Sequence, residues 1–156
     1  KIVDDAIEKG YTVLWAADVS EKGFKWYDGV ALMPKIDRNK ARTGAELAKW
    51  VKLKSSEKED ELYDFKRPVE EIEGTQESRQ KGFDNYETTD DHGMVIIGKA
   101  EDQKGNKYYK VKNSWDTDQV YQGYFYVSEA YFLSKTMSIL VNKKAVPSDL
   151  LKKMGL

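Results

Sequence analysis

Cysteine is absent from this 156-residue chain, which rules out disulfides, thiolate metal sites and any cysteine nucleophile of its own. There is a single histidine. With one imidazole and scattered carboxylates, no metal-ligand spacing of a familiar type can be drawn. No glycine-rich phosphate loop occurs, and no cofactor is expected. Neither charge sign is in excess: 26 Lys and Arg face 27 Asp and Glu, for a formal net charge of −1. That balance gives no electrostatic reason to expect nucleic acid or an anionic membrane as partner. No apolar run approaches the roughly 18 residues of a membrane span, and there is no internal repeat or low-complexity tract. The start at Lys1-Ile2-Val3-Asp4, with neither Met nor signal peptide, is read as a boundary with further sequence upstream.

What is present suits one folded domain over 1–156. Hydrophobic residues make up 40% and aromatics 12% of the chain, enough for a core, and charged residues make up 34%, enough for a solvated surface. A helical segment is expected up to Gly10, then a buried strand over 11–19. Residues 24–36 are aromatic and irregular, broken by Asp28-Gly29 and Pro34. Residues 43–54 read as a helix, with Thr43 as N-cap and Glu46 completing a capping box. The stretch 37–85 is a polar, partly helical insertion, in which Pro68 is placed to open a further helix. The last third alternates in strand fashion over 93–100, 107–115, 123–127 and 137–142, with a hairpin turn at 102–106. A short helix is expected over 148–154. Together these describe an α+β fold, an antiparallel β half-barrel with peripheral helices.

His92 sits where a polar loop meets the apolar strand Gly93–Ala100, a junction that can present a ring at an open edge on a rigid support. Asn113-Ser114-Trp115 follows on the strand that the 102–106 turn brings alongside. An imidazole used for proton transfer must be held in one tautomer and one orientation. The Asn113 amide oxygen can accept a hydrogen bond from one ring nitrogen and leave the other free, and Trp115 can cover that bond and exclude water.

The run Asp91-His92-Gly93-Met94-Val95-Ile96-Ile97-Gly98, then Asn113-Ser114-Trp115, then Gly123-Tyr124-Phe125, resembles the papain-like cysteine peptidases. The segment Val13-Leu14-Trp15-Ala16-Ala17-Asp18-Val19, the insertion before the histidine and the tail 140–147 are similar to the aminopeptidase C and bleomycin hydrolase branch. The resemblance implies the carboxy-terminal half of such a peptidase. It makes His92 the base and acid, Asn113 its orienting partner, Trp115 its shield and Asp91 the acidic neighbour that modulates the ring. Two departures stand out: Gly93 where Ala is usual, and Asp116 where Gly often follows the tryptophan. The nucleophile and oxyanion-hole residues would lie in an amino-terminal half of the same peptidase, so this chain alone is expected to be inactive. Peptides with a free amino terminus are the implied substrate, and a homo-oligomer is implied by ring-forming members. Compartment stays open between cytoplasm and export. The competing readings are a non-catalytic peptide- or carbohydrate-binding module, with Trp26-Tyr27 as candidate patch, and a degenerate, inactive relative of the peptidases.

Overall fold

The computed structural model describes residues 1–156. Helix α1 (Ile2–Glu8) is followed by β1 (Val13–Ala17), the two-residue strands β2 (Phe24–Lys25) and β3 (Val30–Ala31), and helices α2 (Gly44–Trp50), α3 (Ser55–Leu62) and α4 (Gln76–Asp84). Then come β4 (His92–Glu101), β5 (Lys107–Lys112), β6 (Tyr124–Ser128), α5 (Glu129–Lys135), β7 (Thr136–Val141), a 3-10 turn at Lys143–Ala145 and α6 (Ser148–Lys153). The seven strands form one open sheet in the order β2-β3-β6-β5-β4-β1-β7. Every pairing is antiparallel except β3 with β6, which run parallel. The fold is therefore the expected α+β class, with one parallel junction, β3 with β6, in place of wholly antiparallel pairing.

Alternation sets the core. Val13, Trp15 and Ala17 of β1, Met94 and Ile96 of β4, Tyr109 and Val111 of β5, and Phe125 and Val127 of β6 are all buried, as the two-residue period of a half-buried strand demands. Leu14, between them, is exposed, so β1 is buried on one face rather than throughout. Helix α1 lays Val3 and Ala6 into the core, and α5 contributes the fully buried Tyr131. Ser128 caps α5, its hydroxyl accepting from Tyr131 N at 3.0 Å.

The β4–β5 hairpin closes through Asp102. Its Oδ1 accepts from Lys104 N at 2.8 Å and Asn106 N at 3.0 Å, an Asx-turn arrangement that fixes the register beyond it. Glu101 therefore faces Lys107, and beyond a register shift between Ile96 and Gly98, Ile96 faces Val111.

Two expectations for the insertion fail. Pro68 opens no helix: Lys35 N donates to Glu70 O at 2.8 Å and Ile72 N to Met33 O at 2.9 Å, so a tertiary partner holds 70–72 extended. The helix expected from Thr43 is present as α2, but the Thr43 side chain makes no capping bond. Gly44 has φ 55°, which turns the backbone away from the geometry that would bring the hydroxyl to the first-turn amides. The capping box forms instead at α4, where Thr75 and Ser78 bond reciprocally.

Candidate active site

The site is assembled at one end of the buried sheet face. His92 opens β4 opposite Ala17 of β1, and Asn113 follows directly on β5. The ring of His92 lies against Asn113 with Nε2 to Oδ1 at 2.7 Å. The Ser114 N–H also donates to Oδ1, at 2.8 Å, which fixes that atom as the carbonyl oxygen. An oxygen there can only accept, so the imidazole carries its proton on Nε2 and leaves the Nδ1 lone pair unshared. Nδ1 has no partner, yet Asn113 Nδ2 is the one buried side-chain polar atom without one, so Nδ1 is open to its surroundings.

Asn113 is 5% exposed. Its own N–H donates to Gly123 O at 3.0 Å. That bond depends on Gly123 at φ 90° and Gln122 at φ 54°, two successive left-handed residues that turn the 114–123 loop back into β6. Gln119 pins the same loop, its Nε2 donating to Tyr124 O at 2.8 Å and Trp26 O at 3.3 Å.

Trp115 tilts over the imidazole, with ring centroids 4.9 Å apart and planes 31° from parallel. Its other contacts are edge-on to Trp26 at 5.5 Å and Phe24 at 5.7 Å, and both of those pack edge-on to the buried Phe125. A continuous aromatic stack thus runs from the core to the histidine, in geometries that rings favour. Phe24 and Trp26 were not among the residues expected at the site. The Trp26-Tyr27 surface patch does not exist as a pair, because Trp26 is 7% exposed while Tyr27 is 77% exposed. The signal available in the sequence was the aromatic run itself, which is ambiguous until the β2–β3 hairpin turns one ring inward.

Asp91 is adjacent to the site but turned aside. Its Oδ1 accepts from the Thr89 hydroxyl at 2.6 Å and its Oδ2 from Val19 N at 3.3 Å. The Thr89 hydroxyl above all holds its carboxyl below the usual carboxylate range. It makes no ion pair with the imidazole. Gly93 leaves open space where a Cβ would stand, so the family's usual Ala would fit there. No three or more His, Asp or Glu side chains converge into a metal-binding group, and no residue is assigned to one. No helix is long and apolar enough to cross a membrane.

Such an arrangement can take a proton at Nδ1 and return it. The Asn113 amide does not titrate, so it orients the ring in both charge states without competing for the proton.

Aminopeptidase C of Lactobacillus helveticus is 37% identical over 76 residues, covering 48% of this chain and 17% of that protein. Aminopeptidase C of Lactococcus lactis subsp. cremoris is 37% identical over 88 residues, covering 56% of this chain and 20% of that protein. The crystal structure of PepW from Lactobacillus rhamnosis HN001 shares the fold, with a TM-score of 0.57 and 22% identity over 97% of this chain and 29% of that one. The chain thus corresponds to well under half the length of each. Residues 33–155 match the Peptidase C1-like family, and the chain belongs to that family.

Proposed function

We propose that this chain is the histidine- and asparagine-bearing part of a papain-like cysteine aminopeptidase, its nucleophile supplied by an amino-terminal half of the same peptidase. The observation that carries this reading is the 2.7 Å Nε2–Oδ1 bond with Nδ1 left open. An ordinary thiol, with pKa about 8.5, is mostly protonated at neutral pH. A thiol facing Nδ1 would pass its proton to the ring. The thiolate would then attack the peptide carbonyl carbon, and the carbonyl π electrons would move to oxygen. When the tetrahedral intermediate collapses, the C–N bond breaks and the imidazolium proton goes to the leaving amine, which leaves a thioester. Water, deprotonated by the same ring, would hydrolyse the thioester to carboxylate and regenerate the thiol. His92 serves both proton transfers, Asn113 orients it, Trp115 shelters the bond, and Asp91 influences the ring only from a distance.

The similarity to aminopeptidases C supports a peptide with a free amino terminus as substrate. A peptide- or carbohydrate-binding module has no use for a fixed His–Asn pair, and its candidate contact Trp26 is buried.

The test mixes the purified chain with a recombinant amino-terminal half and an aminoacyl fluorogenic substrate. Turnover should need both halves and should disappear with His92→Ala. Turnover by this chain alone would refute the division of labour, and turnover by the mixture with His92→Ala would refute the role of the ring.

A further inference from the structure

Lys135 and Asp18 are the only Lys, Arg, Asp or Glu side chains buried in the fold, at 6% and 0% exposure. A buried cation is costly unless paired and hydrogen-bonded, so what it holds is informative. Lys135 ends α5. Its ammonium donates to Thr88 Oγ1 at 3.1 Å and Glu87 O at 3.3 Å, and it pairs with the carboxylates of Glu21 and, at 3.9 Å, Asp18. Asp18 is itself locked to α5: its N–H donates to Lys135 O at 3.1 Å and its carbonyl accepts from Tyr131 OH at 2.9 Å. From there Asp18 Oδ2 accepts from Thr89 N at 3.2 Å, and Asp91 N donates to Ala17 O at 3.3 Å.

Glu87, Thr88, Thr89 and Asp91 are thus each tied to Lys135 or to the end of β1. These are the residues that deliver the chain to His92. The β1–β4 ladder begins only at His92, paired with Ala17, so the residues before it lie outside the strand.

We propose that Lys135, acting through Asp18, is a positioning residue for His92: the buried pair clasps residues 87–91 so that the ring enters β4 with Nε2 aimed at Asn113. The inference rests on the reading of His92 as the acid–base group. Asn113 and Trp115 hold the ring from the β5 side, and the clasp holds its backbone from the other.

Because His92 is the only histidine, a ¹⁵N-labelled chain gives one imidazole signal set, and its tautomer is read directly. The unaltered chain should show the Nε2–H form with a protected ring proton. If it does not, the proposed active-site geometry fails, independently of the clasp. In Lys135→Met the minor tautomer should rise about fivefold, the factor that corresponds to one net hydrogen bond, and the ring proton should exchange faster while β5 and β6 amide signals stay in place. Thr75→Ala, which weakens α4 only, should leave the imidazole signals unmoved, so general destabilisation does not mimic the effect. If Lys135→Met does not fold, Thr88→Val decides: it removes one acceptor, keeps the cation, and should move the tautomer ratio in the same direction by less. An unchanged ratio in a folded variant overturns the proposal.

Discussion

Gly123→Ala probes the turn that places Asn113. Gly123 sits at φ 90°, where an L side chain costs about 1–2 kcal/mol. An added Cβ would meet nothing closer than Thr117 Cγ2 at 3.5 Å, ordinary van der Waals contact, so the cost is conformational rather than steric. Against it, alanine restricts the unfolded chain and returns about 0.4–1 kcal/mol. The net expectation is a loss of about 1 kcal/mol, a fall in Tm of about 2–4 °C for a domain of this size. Gly93→Ala is the matched control. It has open space around the added carbon and no positive φ, and it sits in a strand, so it should gain about 0.5–1 kcal/mol. Urea unfolding of the two variants, with m unchanged, should place their midpoints on opposite sides of the parent chain. A Gly123→Ala chain as stable as Gly93→Ala would refute the claim that the left-handed turn is what returns the 114–123 loop to β6.

Gly23→Ala should be the most damaging of the glycine substitutions, since its Cβ would lie 2.0 Å from the backbone oxygen of Leu32; loss of cooperative unfolding checks this, and near-normal stability contradicts it. Thr75→Ala removes the cap of α4 and should cost about 1 kcal/mol in urea unfolding. Alkaline pH should unfold the chain. Burial pushes the Tyr108 phenol up to about 12 and raises Tyr109 and Tyr131 further. A phenol whose folded pKa exceeds its unfolded value of about 10 contributes stability that is present below that value and lost as pH rises through the folded one. Absorbance at the tyrosinate band should therefore show a late phase coincident with loss of near-UV circular dichroism; ionisation of all ten tyrosines in one early phase would contradict it.

The last third of the chain was legible because alternation and a short Asx turn are local signals, and together they bring Asn113 next to His92. What was not legible depends on distant partners. Strands β2 and β3 are too short to show a period, and Val30 finds its place only by pairing with Tyr126. Helix α5 follows an aromatic strand and shares its composition, so Glu129–Lys135, between the two expected strands, carries no distinct helix signal until Ser128 is seen to cap it. Pro68 carried a sound local preference that the backbone of Met33 and Lys35 overrode. Asp91 precedes His92 in sequence, but its carboxylate answers to Thr89 and Val19, which no spacing rule reveals.

The hairpin that bears both His92 and Asn113 closes over a tight turn, whereas β1 must find Ile96 on one side and Val141 on the other from the far end of the chain. Loop-closure entropy therefore favours the hairpin as the earlier structure during folding and delays β1. The imidazole and its amide partner meet in the part of the sheet that is cheapest to assemble, and the sheet's most demanding strand closes around a pair already made.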